Sequence, residues 1–371
     1  MPVLASSLRL PVPAAARKTA ADLMRCLFPH GKLVCVASLI LVLVALRSYY
    51  LCSPYVCPKG RTVANSPYAS SYEDHRGHAG AYSPPPAVTG ESDKVLVVAS
   101  TQAEDTAWFH EYFPDWQKKI YVMDDASANL TVARNVGRES TAYLTYIIDH
   151  YHDLPSFMFF LHASRYQWHN EDPIYDGVQP IRNLRLAYVQ EQGYANLRCT
   201  WSLGCPTAIR PFSKVTKLEA ALEPHNDRAN TVAAFAQAYM EIFPGASIDD
   251  VPSAIGVPCC AQFALAKWAV EARPREDYVR IRDWLWTTKL PDSVSGRILE
   301  YVWHILMGKP AEYCPDAREC FCLKFGFCDL ECRSPGSCEK RYRLPQHEEI
   351  PPNWPEEGFG TMGFPEWGWW E

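Results

Sequence analysis

The feature that most constrains this chain is an unbroken apolar run near its start. Leu33–Leu46 (LVCVASLILVLVAL) has fourteen residues without a charge, and the segment before it carries five basic residues against the single acid Asp22. A basic flank followed by such a run directs a chain into the secretory pathway with the basic side left in the cytosol. The run is therefore either a cleaved signal peptide or an uncleaved anchor, with a buried core helix as the weaker alternative.

The anchor is the favoured interpretation. A full span needs about 20 residues, and the aromatic extension to Leu51 makes nineteen, interrupted only by Arg47, which can snorkel to the interface. The lead of thirty-two residues is long for a signal peptide, and no small-residue cleavage pattern follows the run. We predict a transmembrane helix at 33–51, a type II single-pass protein of the Golgi or endoplasmic reticulum, and a cytosolic tail at 1–32.

Composition divides the lumenal part into four segments. Residues 52–93 are rich in Pro, Ser and Tyr without apolar periodicity, which predicts a stem. Residues 94–312 are predicted to form an α/β domain, 313–340 a cysteine-rich module, and 341–371 an irregular Trp-rich tail. The net charge of −6 gives no indication of a nucleic-acid partner.

Apolar strands and helices alternate at the start of the α/β domain. Lys94–Ser100, Lys118–Asp125 and Ser156–His162 are apolar runs of strand length, and helices are predicted between them at Glu104–Phe113 and Glu139–Asp153. This order predicts a mixed, mainly parallel sheet flanked by helices. Ligands bind such sheets outside the carboxyl ends of the strands.

The second half of the domain is predicted to be more helical, with helices at Asp227–Phe243, Gln262–Val270 and Arg297–Met307. In the last of these, Glu300 and His304 are one turn apart. They are candidates for a carboxylate–imidazole pair with Glu300 as the base, and an exposed ion pair is the alternative.

Twelve of the fourteen cysteines follow the predicted anchor, and six of them lie between residues 314 and 338. In an oxidising lumen this density predicts a disulfide-rich module, and a zinc cluster is the weaker alternative because paired C-x2-C knuckles are missing. Cys199 and Cys205 bracket a turn and are candidates to pair with each other. Cys259 and Cys260 are adjacent, and because a bond between neighbours is strained, each is predicted to have a distant partner.

Two acidic residues and an arginine mark the segment after the second strand. Asp124 and Asp125 end that strand, where a carboxylate can accept hydrogen bonds from ribose hydroxyls, and an ordinary turn is the alternative. Arg138 precedes the long helix and is a candidate partner for a phosphate at its N-terminus, with a helix cap and surface salt bridge as the alternative. The sequon at Asn129 predicts glycosylation in this loop.

The third strand ends in a dense set of polar and aromatic groups. His162 and His169 are candidate general bases near neutral pH, and with Glu171 they are candidate metal ligands. Two histidines at this spacing are a weak metal signal, and a structural histidine is the commoner case.

Several segments together resemble a known family. EDTAWF, IYVMDD, NVGRESTAYLTYII, FFLHASRYQWHNED, PCCAQFALAKWAVEARPREDY and SGRILEYVWHILMG are similar, in order and spacing, to the fungal domain of unknown function 3431 family over roughly Lys94–Cys328. That resemblance implies a tethered protein of the secretory pathway, in some cases associated with secondary metabolism.

A looser similarity is to glycosyltransferases of the GT-A fold, whose usual layout is a type II anchor with a stem. It implies that Glu104, Asp124 and Asp125 hold the nucleotide of a nucleotide-sugar donor and that Glu300 lies near the acceptor. Such enzymes usually bind a divalent metal such as manganese through a D-x-D motif. No D-x-D follows the third strand here. Either His162, Arg165 and His169 replace the charge of the metal, with Arg165 as the candidate for the leaving phosphate, or the nucleotide site is absent.

The sequence therefore predicts a membrane-anchored, glycosyltransferase-like lumenal enzyme that moves a sugar from a nucleotide donor to a glycan, a lipid or a small natural product. The alternatives are a non-catalytic GT-A-like binding or scaffold protein of the secretory pathway and a metal-assisted tailoring enzyme that uses His162 and His169.

Overall fold

The computed structural model describes residues 93–339 of the 371 in the chain. The predicted cytosolic tail, anchor and stem, including Leu33–Leu46, lie outside the described residues, and so does the predicted tail at 341–371. Between residues 93 and 339, the helices are all too short or too polar to cross a bilayer.

Five strands form a single mixed sheet in the order β2-β1-β3-β5-β4. β1 is parallel to both β2 and β3, whereas β5 is antiparallel to its neighbours β3 and β4. The prediction of a mixed sheet flanked by helices is confirmed, although only two of its four strand pairings are parallel. The strands are β1 (Lys94–Ser100), β2 (Gln117–Val122), β3 (Phe157–His162), β4 (Tyr194–Asn196) and β5 (Phe263–Ala266).

Helices occupy both faces of the sheet. A 3-10 turn at Ile248–Asp250 and a π-helix at Phe321–Phe325 accompany them. The α-helices of the described part are α1 (Ala107–Tyr112), α2 (Ser140–Asp149), α3 (Val178–Asn183), α4 (Leu186–Gln192), α5 (Lys214–Leu222), α6 (Asp227–Ile242), α7 (Lys267–Glu271), α8 (Arg275–Thr287), α9 (Asp292–Glu300), α10 (Trp303–Leu306) and α11 (Ala317–Cys320).

Alternate residues of the central strands enter two separate cores. Val95 and Val97 of β1 lie in the larger core, together with side chains of α2, α6, α8 and α9. Leu96 and Val98 point the other way, into a core shared with α1, α3, α4 and the π-helix. Because successive strand residues face opposite sides of a sheet, this strand must be apolar throughout, as its sequence is.

The predicted helix at Gln262–Val270 is wrong over its first half. Phe263–Ala266 forms the strand β5, and only Lys267–Glu271 is helical. Alanine and leucine favour helix when local preference decides. Here the four residues FALA are fully buried between β3 and β4, and the hydrogen bonds of the sheet override that preference.

Five disulfides join all ten cysteines between residues 93 and 339, which confirms a disulfide-rich C-terminal segment. Two of the bonds close short loops within that segment, and two tie it to the α/β body, where α11 and the π-helix pack into the second core. The pairs are Cys199–Cys320, Cys205–Cys314, Cys259–Cys260, Cys322–Cys328 and Cys332–Cys338.

Two predicted pairings are therefore wrong. Cys199 and Cys205 do not bond to each other, because each faces a cysteine of the C-terminal segment that packs beside the end of β4. Cys259 and Cys260 bond to each other, and Cys260 takes the left-handed backbone conformation, with a φ of 77°.

The loop around Gly204 lies against the segment that carries these adjacent cysteines. Gly204 has a φ of +104°, and a Cβ placed on it would come within 1.9 Å of the Val257 carbonyl oxygen. The Val257 N–H donates to the Gly204 carbonyl at 3.2 Å, and the Cys259 N–H donates to the Leu203 carbonyl at 3.1 Å. Only glycine allows the two backbones to approach this closely.

Replacing Gly204 with alanine should therefore destabilise the fold strongly. We expect Gly204→Ala to lower the free energy of unfolding by about 3 kcal/mol or more, because the two backbones must separate. Gly245→Ala is the matched control, since Gly245 also has a positive φ, +82°, but faces open space. It should cost about 1 kcal/mol. If urea denaturation shows equal losses of unfolding free energy for the two variants, the cost comes from the positive φ alone and not from the close backbone contact at Gly204.

Candidate functional site

The parallel pairing of β1, β2 and β3 brings their carboxyl ends to one edge of the sheet, which we call the carboxyl edge. β4 also ends at this edge, and the antiparallel β5 begins there. Loops that are distant in sequence consequently meet in the place where α/β sheets bind ligands. They comprise residues 100–105, 123–125, 162–169, 197–200 and 259–262.

Glu300 reaches the carboxyl edge from the last residue of α9. Its Oε1 accepts a hydrogen bond from the Cys260 N–H at 2.9 Å. The predicted helix Arg297–Met307 is broken between α9 and α10, so His304 turns into the core, where its Nε2 lies 3.0 Å from the Ala311 carbonyl oxygen. The predicted Glu300–His304 pair is therefore wrong, and burial lowers the pKa of His304 to about 4.

Glu139 is a second carboxylate at this edge. It precedes α2 but makes no side-chain cap hydrogen bond, so the helix-cap interpretation does not hold. Burial raises the pKa of the Glu139 carboxyl to about 7, although the charge of Arg138 opposes the rise. Burial also raises the pKa of Glu300, and the charge of Glu139 adds to that rise. The pair therefore favours a state in which one of the two carboxyl groups keeps its proton.

His162 ends β3 beside these carboxylates. Its ring centroid lies 5.0 Å from that of His169, which stacks on Trp168 at 3.9 Å. Burial lowers the pKa of His162, and the charge of Glu300 partly offsets the effect. The His162 Nε2 is buried and has no hydrogen-bond partner among residues 93–339. A buried ring nitrogen of this kind is suited to meet a ligand.

The two acidic residues after β2 have different surroundings. Asp124 is exposed, and its Oδ1 accepts the Gln102 N–H at 2.9 Å, which links the ends of β1 and β2. Asp125 closes a turn, with its Oδ1 accepting from the Ser127 hydroxyl at 2.6 Å and the Ser127 N–H at 2.8 Å. These bonds lower the pKa of Asp125. The turn interpretation fits Asp125, and Asp124 is the one of the two that is exposed to solvent.

The two arginines assigned to a phosphate also differ. Arg165 forms a two-point ion pair with Asp176, at 3.0 and 2.8 Å, and donates to the Tyr112 hydroxyl at 2.9 Å. Arg138 is exposed, has a φ of 53°, and rests its side-chain stem against Gly296. Within residues 93–339, Arg138 forms no ion pair. Arg138 is thus the better placed of the two to meet a phosphate.

Side-chain hydrogen bonds tie the loops of the carboxyl edge together. Glu104 accepts from the Ser164 hydroxyl at 3.3 Å and so joins the loops after β1 and β3. Gln262 accepts the His162 N–H at 3.2 Å and donates to Asn170 at 3.0 Å. Glu104 therefore supports the shape of the edge, and the site is held in place before any ligand binds.

The donor groups at this edge do not fit a divalent metal. Among residues 93–339, no three His, Cys, Asp or Glu side chains are arranged to hold one. Glu171, the candidate ligand beside the two histidines, instead accepts the N–H groups of Cys199 and Thr200 at 2.8 and 3.0 Å. No step is therefore assigned to manganese or another divalent cation.

The sequon lies outside this cluster. Asn129 is exposed in the loop after β2, and the Thr131 hydroxyl donates to the Val122 carbonyl at 2.8 Å. The side-chain amide is thus presented to solvent, and its glycosylation stays a prediction.

The sequence does not identify two groups that lie near Glu300. Glu139 is predicted only as the start of a helix, and a backbone N–H such as that of Cys260 leaves no recognisable pattern in the sequence. The glycine and arginine that precede Glu139 do mark an unusual turn, since both have positive φ, 70° and 53°. No local sequence pattern indicates that this turn lies close to the end of α9, which is far along the chain.

Comparison with known proteins gives a family match. A family model described as a protein of unknown function (DUF3431) matches residues 96–323, more than half of the chain. No curated protein and no solved structure matches the chain.

The Glu139 carboxyl should make stability depend on pH. Its pKa rises from 4.5 to about 7 on folding, so its favourable contribution is complete below about pH 4.5 and is lost as the pH rises through 7. At about 1.4 kcal/mol per unit, the full loss amounts to roughly 3–4 kcal/mol. We expect Glu139→Gln to lose less stability than the wild type between about pH 5 and about pH 8 in urea denaturation. If the unfolding free energies of the wild type and the variant change with pH in the same way, folding does not raise the pKa of Glu139.

Proposed function

This chain belongs to the DUF3431 family, and we propose that it is a glycosyltransferase-like enzyme that transfers a sugar from a nucleotide donor to an acceptor hydroxyl. One observation carries the proposal. Glu300, Glu139 and His162 converge at the carboxyl edge near Arg138, which forms no ion pair within residues 93–339, and the exposed Asp124 follows β2 at the same edge. In the proposed setting, the predicted anchor holds this domain in the lumen of the secretory pathway.

The donor is proposed to lie across the ends of β1 and β2. Asp124 is fixed by the Gln102 N–H through one oxygen and is exposed, so it can accept hydrogen bonds from ribose hydroxyls. Arg138 supplies a planar cation for the diphosphate, and its stem is held against Gly296. Because the acidic groups do not form a metal site, Arg138 is proposed to meet the charge of the leaving group.

Glu300 is the proposed base. Hydrogen bonding from the Cys260 N–H favours its ionised form, whereas Glu139 has no comparable donor outside its own backbone and keeps a proton near neutral pH. A carboxylate in a buried site is a stronger base than one in water. Glu139 would thus set the charge of the site, and Glu300 would act on the acceptor.

The proposed step is a single displacement. The acceptor oxygen attacks the anomeric carbon and gives its proton to the Glu300 carboxylate. The bond from that carbon to the phosphate oxygen breaks, and the nucleoside diphosphate leaves with the electron pair, facing Arg138. His162 and His169 line the reacting face, where the neutral His162 Nε2 can hydrogen-bond the sugar or the acceptor.

Donor binding is the first test. A panel of nucleotide sugars added to the full chain should raise its melting temperature for at least one donor, by roughly 5–10 °C at a hundredfold excess over Kd. Arg138→Ala should weaken that donor about tenfold or more, since a bond to a charged group is lost. Arg134→Ala, an exposed arginine that rests on Trp286, is the matched control and should bind normally. If no donor stabilises the protein, the proposal fails.

Turnover is the second test. Glu300→Gln should bind the donor as the wild type does but lose about 10²–10⁴-fold in transfer, because only the proton acceptor is removed. Release of nucleoside diphosphate measures the rate. A Glu300→Gln variant with wild-type turnover would exclude Glu300 as the base, and a wild type that binds donor without transfer would favour a binding protein.

A further inference from the structure

The bond between Cys259 and Cys260 lies directly behind the proposed base. We propose that this disulfide is a positioning element, a clamp that holds the Cys260 N–H against Glu300 and so fixes the carboxylate for reaction. The inference rests on the proposed function for its catalytic consequence, but the clamp itself has a separate test.

The backbone at Cys260 is held in an unfavourable conformation. Its φ of 77° lies in the left-handed region, where a residue with a Cβ is sterically unfavourable. In this conformation the Cys260 N–H points at Glu300 Oε1, at 2.9 Å, and the Cys260 carbonyl accepts the Gln262 N–H at 2.7 Å. The disulfide to Cys259 closes a small ring around this peptide and restricts its rotation.

A buried arginine supports the two sulfur atoms from the other side. The Arg198 Nη1 lies 3.1 Å from the Cys259 Sγ and 3.6 Å from the Cys260 Sγ, and Arg198 is only 1% exposed. Asn196, at the end of β4, accepts the Arg198 N–H at 2.7 Å and donates to the Pro258 carbonyl at 2.7 Å. The residue before the disulfide is therefore fastened to the end of β4, and Arg198 contacts both sulfur atoms.

Burial argues for a positional role and against a redox one. Cys259 and Cys260 are 2% and 5% exposed, beneath the loop that contains Gly204. A reductant has little access to sulfur atoms in such a place. Cys260, one of the two bonded residues, is the residue whose N–H donates to Glu300.

Without the bond, the peptide is expected to relax. Cys260 would return toward a negative φ, the ordinary region for a residue with a Cβ, and its N–H would turn away from Glu300. The carboxylate would lose the hydrogen bond that favours its ionised form, and it would no longer be held at the acceptor. A displacement of about 1 Å at a reacting group can cost about a hundredfold in rate.

The test compares paired serine variants of the full chain. In Cys259→Ser/Cys260→Ser, amide hydrogen exchange at Cys260, followed by mass spectrometry, should be at least about tenfold faster than in the wild type. With the donor that the panel identifies, kcat should fall about 10–100-fold while the donor KM stays unchanged. Cys332→Ser/Cys338→Ser removes a disulfide that closes a largely exposed loop and is the matched control. It should lower stability alone.

A glycine variant guards against misfolding. Cys259→Ala/Cys260→Gly also lacks the bond, but glycine accepts a φ of 77° without penalty, so part of the amide protection and of kcat should return. Unchanged exchange and unchanged kcat in the serine pair would overturn the clamp. If exchange rises but Glu300→Gln retains full activity, the clamp stands and the proposed base is wrong.

Discussion

Two carboxyl groups that come from different helices meet at the carboxyl edge, and the chemistry of the site depends on that meeting. Glu139 precedes α2 and Glu300 ends α9, and the charge of Glu139 adds to the rise in the pKa of Glu300 that burial causes. Burial at the edge makes that repulsion matter, because charges interact more strongly away from water. The Cys260 N–H donates to Glu300, and this hydrogen bond favours the ionised form of that carboxylate.

The layered fold makes this arrangement possible. Each face of the sheet has its own core, so β1 and β3 are covered on both sides and their ends are fixed in depth. The antiparallel β5 is the second requirement, because it places Cys260 at the edge where β1, β2 and β3 end. Had β5 been parallel to β3, its first residues would lie at the opposite edge of the sheet.

Apolar runs of strand length and the periodicity of amphipathic helices predict much of the α/β fold. β1 and β3 are continuous apolar segments, and both ends of each were located to within one residue because two-sided burial leaves a plain sequence pattern. The sequence predicts helix for β5, because FALA contains strong helix formers and lacks the apolar–polar alternation of a strand. Only the pairing with β3 and β4 makes this segment a strand. Asp124 and His162 could be singled out as candidates because they lie at the ends of the apolar runs that form β2 and β3. Glu139 and the Cys259–Cys260 bond could not, since their meaning lies in contacts with Glu300 and Arg198 that no local pattern contains.

The most direct test of nucleotide binding at the carboxyl edge is a crystal structure of the protein with a nucleoside diphosphate. We expect electron density for the diphosphate at Arg138 and for the ribose at Asp124, both on the carboxyl edge. The opposite edge has a cleft of about 270 Å³ lined by Asp93, Lys119 and His150. A nucleotide bound there, with the carboxyl edge empty, would contradict the proposal that the donor binds at the carboxyl edge.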